Sequence, residues 1–149
     1  MPAAYHWLPE LGLTVGVVSG EVRAEEIVAA LDAAAAAGRY PAGADRVTIF
    51  DQTARLHRLE LDGLRRVQRR VADNEARAGL TPRYRSALIC ADRVKRPVVE
   101  LYRVLWMSPE TPEVAYRLAP DAASAMAWLG RPVSALTLEA AARGDAADG

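Results

Sequence analysis

Residues 46–67 read RVTIFDQTARLHRLELDGLRRV, and this stretch decides the fold of the chain. It opens with a short apolar, β-branched and aromatic run that contains Ile49 and Phe50 and stops at Asp51. A run of this kind is typical of a central strand in an α/β sheet. The apolar residues from Leu61 onward follow helical spacing instead. The stretch therefore predicts a buried strand, a loop at the end of the sheet and a long helix.

Length and composition limit the classes of protein to which the chain can belong. Its 149 residues, with 51% apolar and 26% charged content, fit one globular domain with a sizeable core. The 19 basic and 19 acidic residues give a formal net charge of zero, so no overall field attracts nucleic acid or an anionic membrane. We expect no nucleic-acid partner and no membrane span.

The cysteine and histidine content argues against metal and disulfide chemistry. Cys90 is the only cysteine, which excludes an intramolecular disulfide and a cysteine-based zinc site within one chain. No second histidine or carboxylate accompanies His6 at metal-binding spacing. The N-terminal residues also lack the charged start and apolar core of an export signal. We expect no metal, no cofactor and a cytoplasmic location.

The rest of the chain alternates between strand and helix patterns. Two apolar runs on either side of a short turn predict an N-terminal hairpin. The predicted strands are residues 4–8, 13–18, 46–51, 86–91 and 114–118, and the predicted helices are residues 24–37, 60–78, 94–107 and 122–129. This order predicts an α/β fold with a mixed sheet of four or five strands and about four helices packed against it. We expect a single domain over residues 1–130 and a tail, residues 131–149, that is partly helical and then disordered.

Three segments resemble a known family. They are VGVVSGEVRAEE at residues 15–26, TIFDQT at residues 48–53 and SAMAWL at residues 124–129. In these segments the chain is similar to the SpoIIAA-like, or STAS/SEC14-like, family of small bacterial proteins, and the similarity extends over residues 4–130. The resemblance implies a STAS-type fold, which is known from anti-sigma-factor antagonists and from cytoplasmic domains of anion transporters.

The resemblance also raises the question of a phosphorylation switch. In the antagonists, a phosphorylatable hydroxyl preceded by Asp lies at the start of the helix that follows the central strand. Here that helix is predicted to begin near Glu60 and Leu61, and the nearest hydroxyl is Thr53. We therefore expect Thr53 not to be phosphorylated, with a phospho-switchable antagonist-type regulator as an alternative function.

Polar residues after the central strands form the first candidate site. The crevice beyond the carboxyl ends of the strands is the usual ligand site of an open α/β sheet. His57 and Asp51 could form a general base and the residue that orients it. The sequence contains no nucleophile elbow, phosphate-binding glycine loop or metal motif, so we expect no enzymatic activity and no catalytic residue. The candidate residues for a ligand or partner are Asp51, Thr53, Arg55, His57 and Asp92.

A second candidate site is an apolar pocket under the helix that begins near Val94. Its aromatic stripe suggests Tyr102, Leu105 and Trp106 as pocket residues. The expected function is a STAS-like binding or interaction domain, whose partner is either a protein or a small apolar or lipid ligand. The oligomeric state stays open, and a homodimer is one alternative. The charges on the helix over residues 60–78, Glu75 among them, are expected to form a solvated face.

Overall fold

The computed structural model describes residues 3–107 and 113–132. Within them the chain forms five strands and four helices, in the order strand, strand, helix, strand and so on to the last helix. The strands are β1 (Ala3–Leu8), β2 (Leu13–Val18), β3 (Asp45–Phe50), β4 (Arg85–Cys90) and β5 (Ala115–Ala119). The helices are α1 (Ala24–Ala36), α2 (Leu61–Arg77), α3 (Arg96–Trp106) and α4 (Ala122–Leu129).

The strands form one mixed sheet in the order β1-β2-β3-β4-β5. β1 and β2 form the antiparallel hairpin, and all the other neighbouring strands are parallel. Each parallel pair is connected through a helix, as parallel strands require. The predicted α/β fold class, the mixed sheet and the N-terminal hairpin are confirmed, and the sheet has five strands.

The sheet has a buried layer on each face. Phe50 contributes to the layer beneath α1, α2 and α3, whereas its neighbour Ile49 contributes to the layer beneath α4. Adjacent residues of a strand point to opposite faces. The apolar residues of β3 are therefore buried on both sides of the sheet.

Local chemistry accounts for the position of α4. The carboxylate of Asp121 accepts a hydrogen bond from the backbone N–H of Ser124 at 2.8 Å, which caps the start of the helix. The helix ends at Gly130, whose φ of 70° lies in the left-handed region that glycine adopts without strain. These residues therefore define both ends of a helix of only eight residues.

A glycine in β2 allows an aromatic ring to lie flat against the sheet. Tyr5 of β1 pairs with Gly16 of β2 in the hairpin register. A Cβ atom at Gly16 would lie 2.7 Å from Cε1 of Tyr5, which is closer than such atoms approach. The absent side chain therefore makes room for the ring of Tyr5 beneath α1.

The predicted domain ends at residue 130, but the next residue, Arg131, also bonds to the rest of the domain. The Nε of Arg131 donates to the carbonyl of Leu11 at 2.6 Å, and its Nη1 donates to Asp45 Oδ2 at 2.8 Å. Arg131 thus connects the end of α4 to the start of β3 and to the hairpin turn. The rest of the predicted tail, from residue 133 onward, lies outside the described residues.

Candidate functional site

Asp51 and Asp92 lie at the same end of the sheet. They follow β3 and β4, which are parallel neighbours with Phe50 beside Cys90 at their ends. Lys95 connects the two loops, because its Nζ donates to the carbonyl of Gln52 at 2.7 Å and lies 3.7 Å from Asp92 Oδ2. Asp92 also accepts the backbone N–H of Val94 at 2.9 Å. The carboxylate of Asp92 therefore shapes the turn that leads into α3.

The hydroxyl of Thr53 has two structural partners. It donates to Asp51 Oδ1 at 2.6 Å and accepts the backbone N–H of Gly20 at 3.0 Å. The backbone N–H of Thr53 also donates to Asp51 Oδ1, at 2.8 Å. Aspartate and threonine commonly stabilise turns in this way. Asp51 and Thr53 together hold the β3 loop against the loop after β2.

Arg55 joins this edge of the protein through its backbone. Its N–H donates to the carbonyl of Gly20 at 2.7 Å, and its carbonyl accepts the N–H of Val22 at 3.1 Å. These bonds form an isolated parallel bridge between Glu21 and Arg55. The bridge extends the contact between β2 and β3 beyond their ends, while the side chain of Arg55 is exposed.

His57 lies beside Glu21 rather than in a catalytic arrangement with Asp51. Its Nε2 is 3.7 Å from Glu21 Oε1, and the Nε of Arg58 is 2.5 Å from the same oxygen. The His57 side chain is 63% exposed, so it has no pocket around it. His57 and Asp51, which the sequence suggested as a general base and the residue that orients it, therefore have different partners. Asp51 bonds to Thr53, and His57 lies beside Glu21.

A cavity of about 90 Å³ lies between the sheet and helices α1, α2 and α3. Tyr102 and Trp106 line it, as expected. Leu105 does not line it and is 39% exposed. The reason is helical geometry: Val99, Tyr102 and Trp106 share the inward row of α3, and Leu105 lies on the next row.

A buried ion pair forms part of this interior. Arg46 of β3 donates from Nη2 to Glu75 Oε1 of α2, and the two residues are 4% and 0% exposed. Glu75 Oε2 also accepts the backbone N–H of Gly43 at 2.7 Å. The expectation that Glu75 belongs to a solvated face is wrong. Glu75 is four residues beyond Val71 on the inward stripe of α2, and this spacing is the signal that sequence reasoning missed.

Aromatic side chains surround the guanidinium of Arg46. Its Cζ lies 3.7 Å from the ring centre of Tyr84 and 4.6 Å from that of Tyr40. Tyr116 also lines the cavity, and its ring centre lies 6.3 Å from that of Trp106. Cation–π contact of this kind stabilises a desolvated guanidinium. All five side chains also line the cavity.

Burial sets the protonation of these groups. It raises the pKa of Tyr40 to about 12 and also raises the pKa of Tyr84 and of Tyr116. Burial alone would lower the pKa of Arg46, but Tyr40, Tyr84 and Glu75 raise it overall. Near neutral pH the phenols are therefore uncharged and the guanidinium is charged.

An outer groove adjoins the cavity between α1 and α2. Its volume is about 390 Å³, and it shares Leu31, Tyr40 and Val71 with the lining of the inner cavity. Asp32 and Arg70 also line the groove, with 3.5 Å between Asp32 Oδ1 and Arg70 Nε. These three side chains border both the groove and the cavity.

The outward side of α3 is apolar and uncovered in the described part of the chain. Side chains that the sequence places in the apolar stripe of this helix are exposed instead, among them Val98, Leu101 and Leu105. Val104 and Met107 are also exposed. The apolar surface of α3 is thus wider than the row that packs against the sheet.

Cys90 is a core residue. It is buried at the end of β4, and its Sγ donates to the carbonyl of Asp92 at 3.6 Å. Burial raises the pKa of the thiol, which disfavours the reactive thiolate.

Over residues 3–107 and 113–132, no three His, Cys, Asp or Glu side chains are grouped to hold a metal ion. The same residues include no helix of the length and apolar character needed to cross a membrane. The chain matches no family model, no curated protein and no solved structure. Membership of the SpoIIAA-like family therefore stays a proposal.

Proposed function

We propose that this protein is a non-enzymatic binding domain that takes a small, mainly apolar ligand into its inner cavity. The observation that supports this most directly is the cavity of about 90 Å³ that lies between the sheet and α1 to α3. An engineered apolar cavity of about 150 Å³ is sufficient to bind benzene. The volume here suits a small compact molecule or one end of a longer one.

The energetic cost of the cavity supports a role in binding. Protein interiors are packed as densely as organic crystals, with few voids. At roughly 24 cal/mol per Å³, an empty cavity of about 90 Å³ would cost about 2 kcal/mol. That is a large fraction of the ~5–15 kcal/mol by which domains are stable. A ligand in the cavity would recover part of this cost.

The outer groove supplies a route to the cavity. Leu31 and Val71 lie on facing helices and line both spaces. Movement of these side chains, together with Tyr40, would connect the cavity to the surface without opening the sheet. Exposed ion pairs such as Asp32–Arg70 contribute little, so this pair does not hold the helices closed.

The arrangement at the sheet edge supports a binding role over an enzymatic one. The side chains of Asp51, Thr53 and Asp92 are engaged in turns, and His57 is exposed beside Glu21. A general base needs a defined position next to a bound substrate. The cavity is lined by other side chains.

Benzene titration of the ¹⁵N-labelled protein, followed by NMR, tests the proposal. We expect saturable shifts of amides in β3, α2 and α3. Ala72 lines the cavity, so Ala72→Leu should fill it and weaken benzene binding at least tenfold. Ala76, one turn later on α2, is exposed, so Ala76→Leu is the matched control and should bind as the wild type does. Equal binding by both variants, or no saturable shift in the wild type, would contradict the proposal.

A protein partner is a second proposal. The exposed apolar side chains Val98, Leu101 and Leu105 on α3 support it, because contiguous apolar surface often marks an interaction site. Sedimentation of the wild type and of Leu101→Glu would test the homodimer version. A mass that is concentration-dependent in the wild type alone would support it, and monomers in both would remove it.

Family membership and location are also proposals. The N-terminal hairpin followed by alternating parallel strands and helices is compatible with a STAS-type fold. The single cysteine supports a cytoplasmic location, where thiols stay reduced.

A further inference from the structure

The guanidinium of Arg46 has two nitrogen atoms without a hydrogen-bond partner in the described part of the chain. Nη2 donates to Glu75, and Tyr84 and Tyr40 lie on the guanidinium at 3.7 Å and 4.6 Å from Cζ to ring centre. The Nε and Nη1 atoms are buried, and neither has a hydrogen-bond partner among residues 3–107 and 113–132. Arg46 lines the inner cavity. Two buried donors of a charged group are therefore left unpaired at the cavity.

A third unpaired donor belongs to another residue that lines the same cavity. The indole Nε1 of Trp106 is buried and has no partner in the described part of the chain. Guanidinium and indole N–H groups only donate hydrogen bonds and never accept them. Buried donors are nearly always paired in native proteins. A ligand that satisfies these groups must supply an acceptor.

The charge balance of the interior determines which acceptor fits. Arg46 contributes one positive charge and Glu75 one negative charge, so the pair is neutral as a unit. Tyr40, Tyr84 and Tyr116 remain protonated because burial raises their pKa values. An anionic ligand would place a second negative charge beside Glu75 with no additional cation, and burying an unpaired charge is costly. A neutral acceptor avoids this cost.

We propose that the cavity binds a small, neutral molecule with an apolar body and one carbonyl oxygen, such as a ketone, an aldehyde or an ester. The oxygen accepts a hydrogen bond from one of the two unpaired donors of Arg46, Nε or Nη1, and the body contacts the apolar side chains that line the cavity. This inference rests on the proposed function and names the ligand class for the same cavity.

Three cyclopentane-based probes test the ligand class, and the ketone and the alkene among them have nearly the same shape. Cyclopentanone contains the carbonyl, methylenecyclopentane replaces its oxygen with CH₂, and cyclopentanecarboxylate adds a negative charge. We expect cyclopentanone to bind at least tenfold more tightly than methylenecyclopentane, although water solvates the ketone better. We expect no saturable binding of the carboxylate at pH 7. Equal binding of ketone and alkene, or tightest binding of the carboxylate, would overturn the inference.

A double variant tests the role of Arg46 directly. In Arg46→Met/Glu75→Gln both charges are removed together, and the new amide oxygen can still accept the N–H of Gly43. Replacing both members of a buried ion pair is better tolerated than removing one. The preference for ketone over alkene should fall about tenfold in this variant, while the alkene still binds. An unchanged preference would show that the ketone bonds elsewhere and would overturn the inference.

The indole N–H resonances give a second readout that does not depend on stability. The chain has three tryptophans, and Trp106→Phe and Trp128→Phe identify two of their signals. Trp128 packs against the opposite face of the sheet and serves as the control. Because Trp106 lines the cavity, ketone binding should shift the Trp106 indole signal and leave that of Trp128 in place. If methylenecyclopentane also fails to bind, the proposed function fails as well, whereas alkene binding without a carbonyl preference overturns only this inference.

Discussion

The guanidinium of Arg46 on β3 is bound by the carboxylate of Glu75 near the end of α2, in the interior of the domain. The pair joins a strand to the C-terminal half of a helix, and through Gly43 it also holds the loop that precedes β3. This relationship holds the charged side chain of Arg46 at the wall of the inner cavity.

Removing one member of this pair should be strongly destabilising. Glu75→Ala leaves the buried guanidinium uncompensated, and we expect the free energy of unfolding to fall by ~3–5 kcal/mol. The exposed pair Arg66–Glu25, with 4.0 Å between its charged atoms, is the control, and Glu25→Ala should cost less than ~1 kcal/mol. Urea unfolding at neutral pH measures both. Similar losses in the two variants would show that Arg46 reaches solvent when Glu75 is absent.

Substitutions at two adjacent core residues should have similar effects on stability but different effects on ligand binding. Phe50 lines the cavity, and Ile49 packs on the opposite face of the sheet against α4. Phe50→Ala and Ile49→Ala should each cost ~2–5 kcal/mol, measured by denaturant unfolding. Only Phe50→Ala enlarges the cavity, so only this variant should bind a probe larger than benzene, such as naphthalene. Naphthalene binding by Ile49→Ala, or by neither variant, would contradict the assignment of the cavity to one face.

The hydroxyl of Thr53 should contribute to the free energy of unfolding through the loop that it stabilises. Thr53→Val removes the bonds to Asp51 and to the N–H of Gly20, and we expect a loss of ~0.5–1.5 kcal/mol in unfolding free energy. Thr53→Ser keeps the hydroxyl and is the matched control. If the serine and valine variants unfold at the same urea concentration, the two hydrogen bonds contribute nothing to stability.

The same contacts argue against phosphorylation of Thr53. A phosphate on Oγ1 would remove the donor to Asp51 and place ~1.5–2 negative charges beside that carboxylate. α2 begins only at Leu61, so its N-terminal N–H groups are not adjacent in sequence. We expect phosphoproteomics of the host to find Thr53 unmodified. A modified Thr53, together with loss of a partner in a Thr53→Glu pull-down, would favour the antagonist-type regulator.

Asp45 should make stability depend on pH in the acid range. Burial alone would raise its pKa, but hydrogen bonds from the N–H of Arg85 and from Arg131 lower the pKa overall. A carboxyl group with a lowered folded-state pKa stabilises the fold above its unfolded pKa of ~3.9 and loses this contribution as pH falls through the folded value.

We therefore expect Asp45→Asn to be less stable than the wild type at pH 7 and closer to it at pH 3. Thermal unfolding at the two pH values measures this difference. Asp32→Asn, in an exposed pair with Arg70, is the control and should change little at either pH. A constant gap between Asp45→Asn and the wild type would mean that the hydrogen bonds do not depend on the charge of Asp45.

Several features could be predicted from the sequence because they depend on local patterns. The apolar run that ends at Asp51 identified β3, and the apolar spacing from Leu61 onward identified α2. The hairpin and the order of strands and helices followed from turns and periodicity. Tyr102 and Trp106 were placed at the cavity because an aromatic stripe on a helix normally faces inward.

The interior of the candidate site required the tertiary structure. Arg46 and Glu75 are 29 residues apart, and although Glu75 falls on the inward stripe of α2, nothing in either segment indicates that the two residues pair. Their pairing depends on where α2 crosses β3, which no local pattern specifies. The exposure of Leu105 also required the tertiary structure. The apolar stripe of α3 is wider than one row of side chains, and the sequence does not show which row packs against the sheet. The sequence by itself determined the elements and their order, because hydrophobic periodicity is a local property. Only the tertiary structure decided which polar groups are buried together around a cavity, because burial depends on all the elements that meet there.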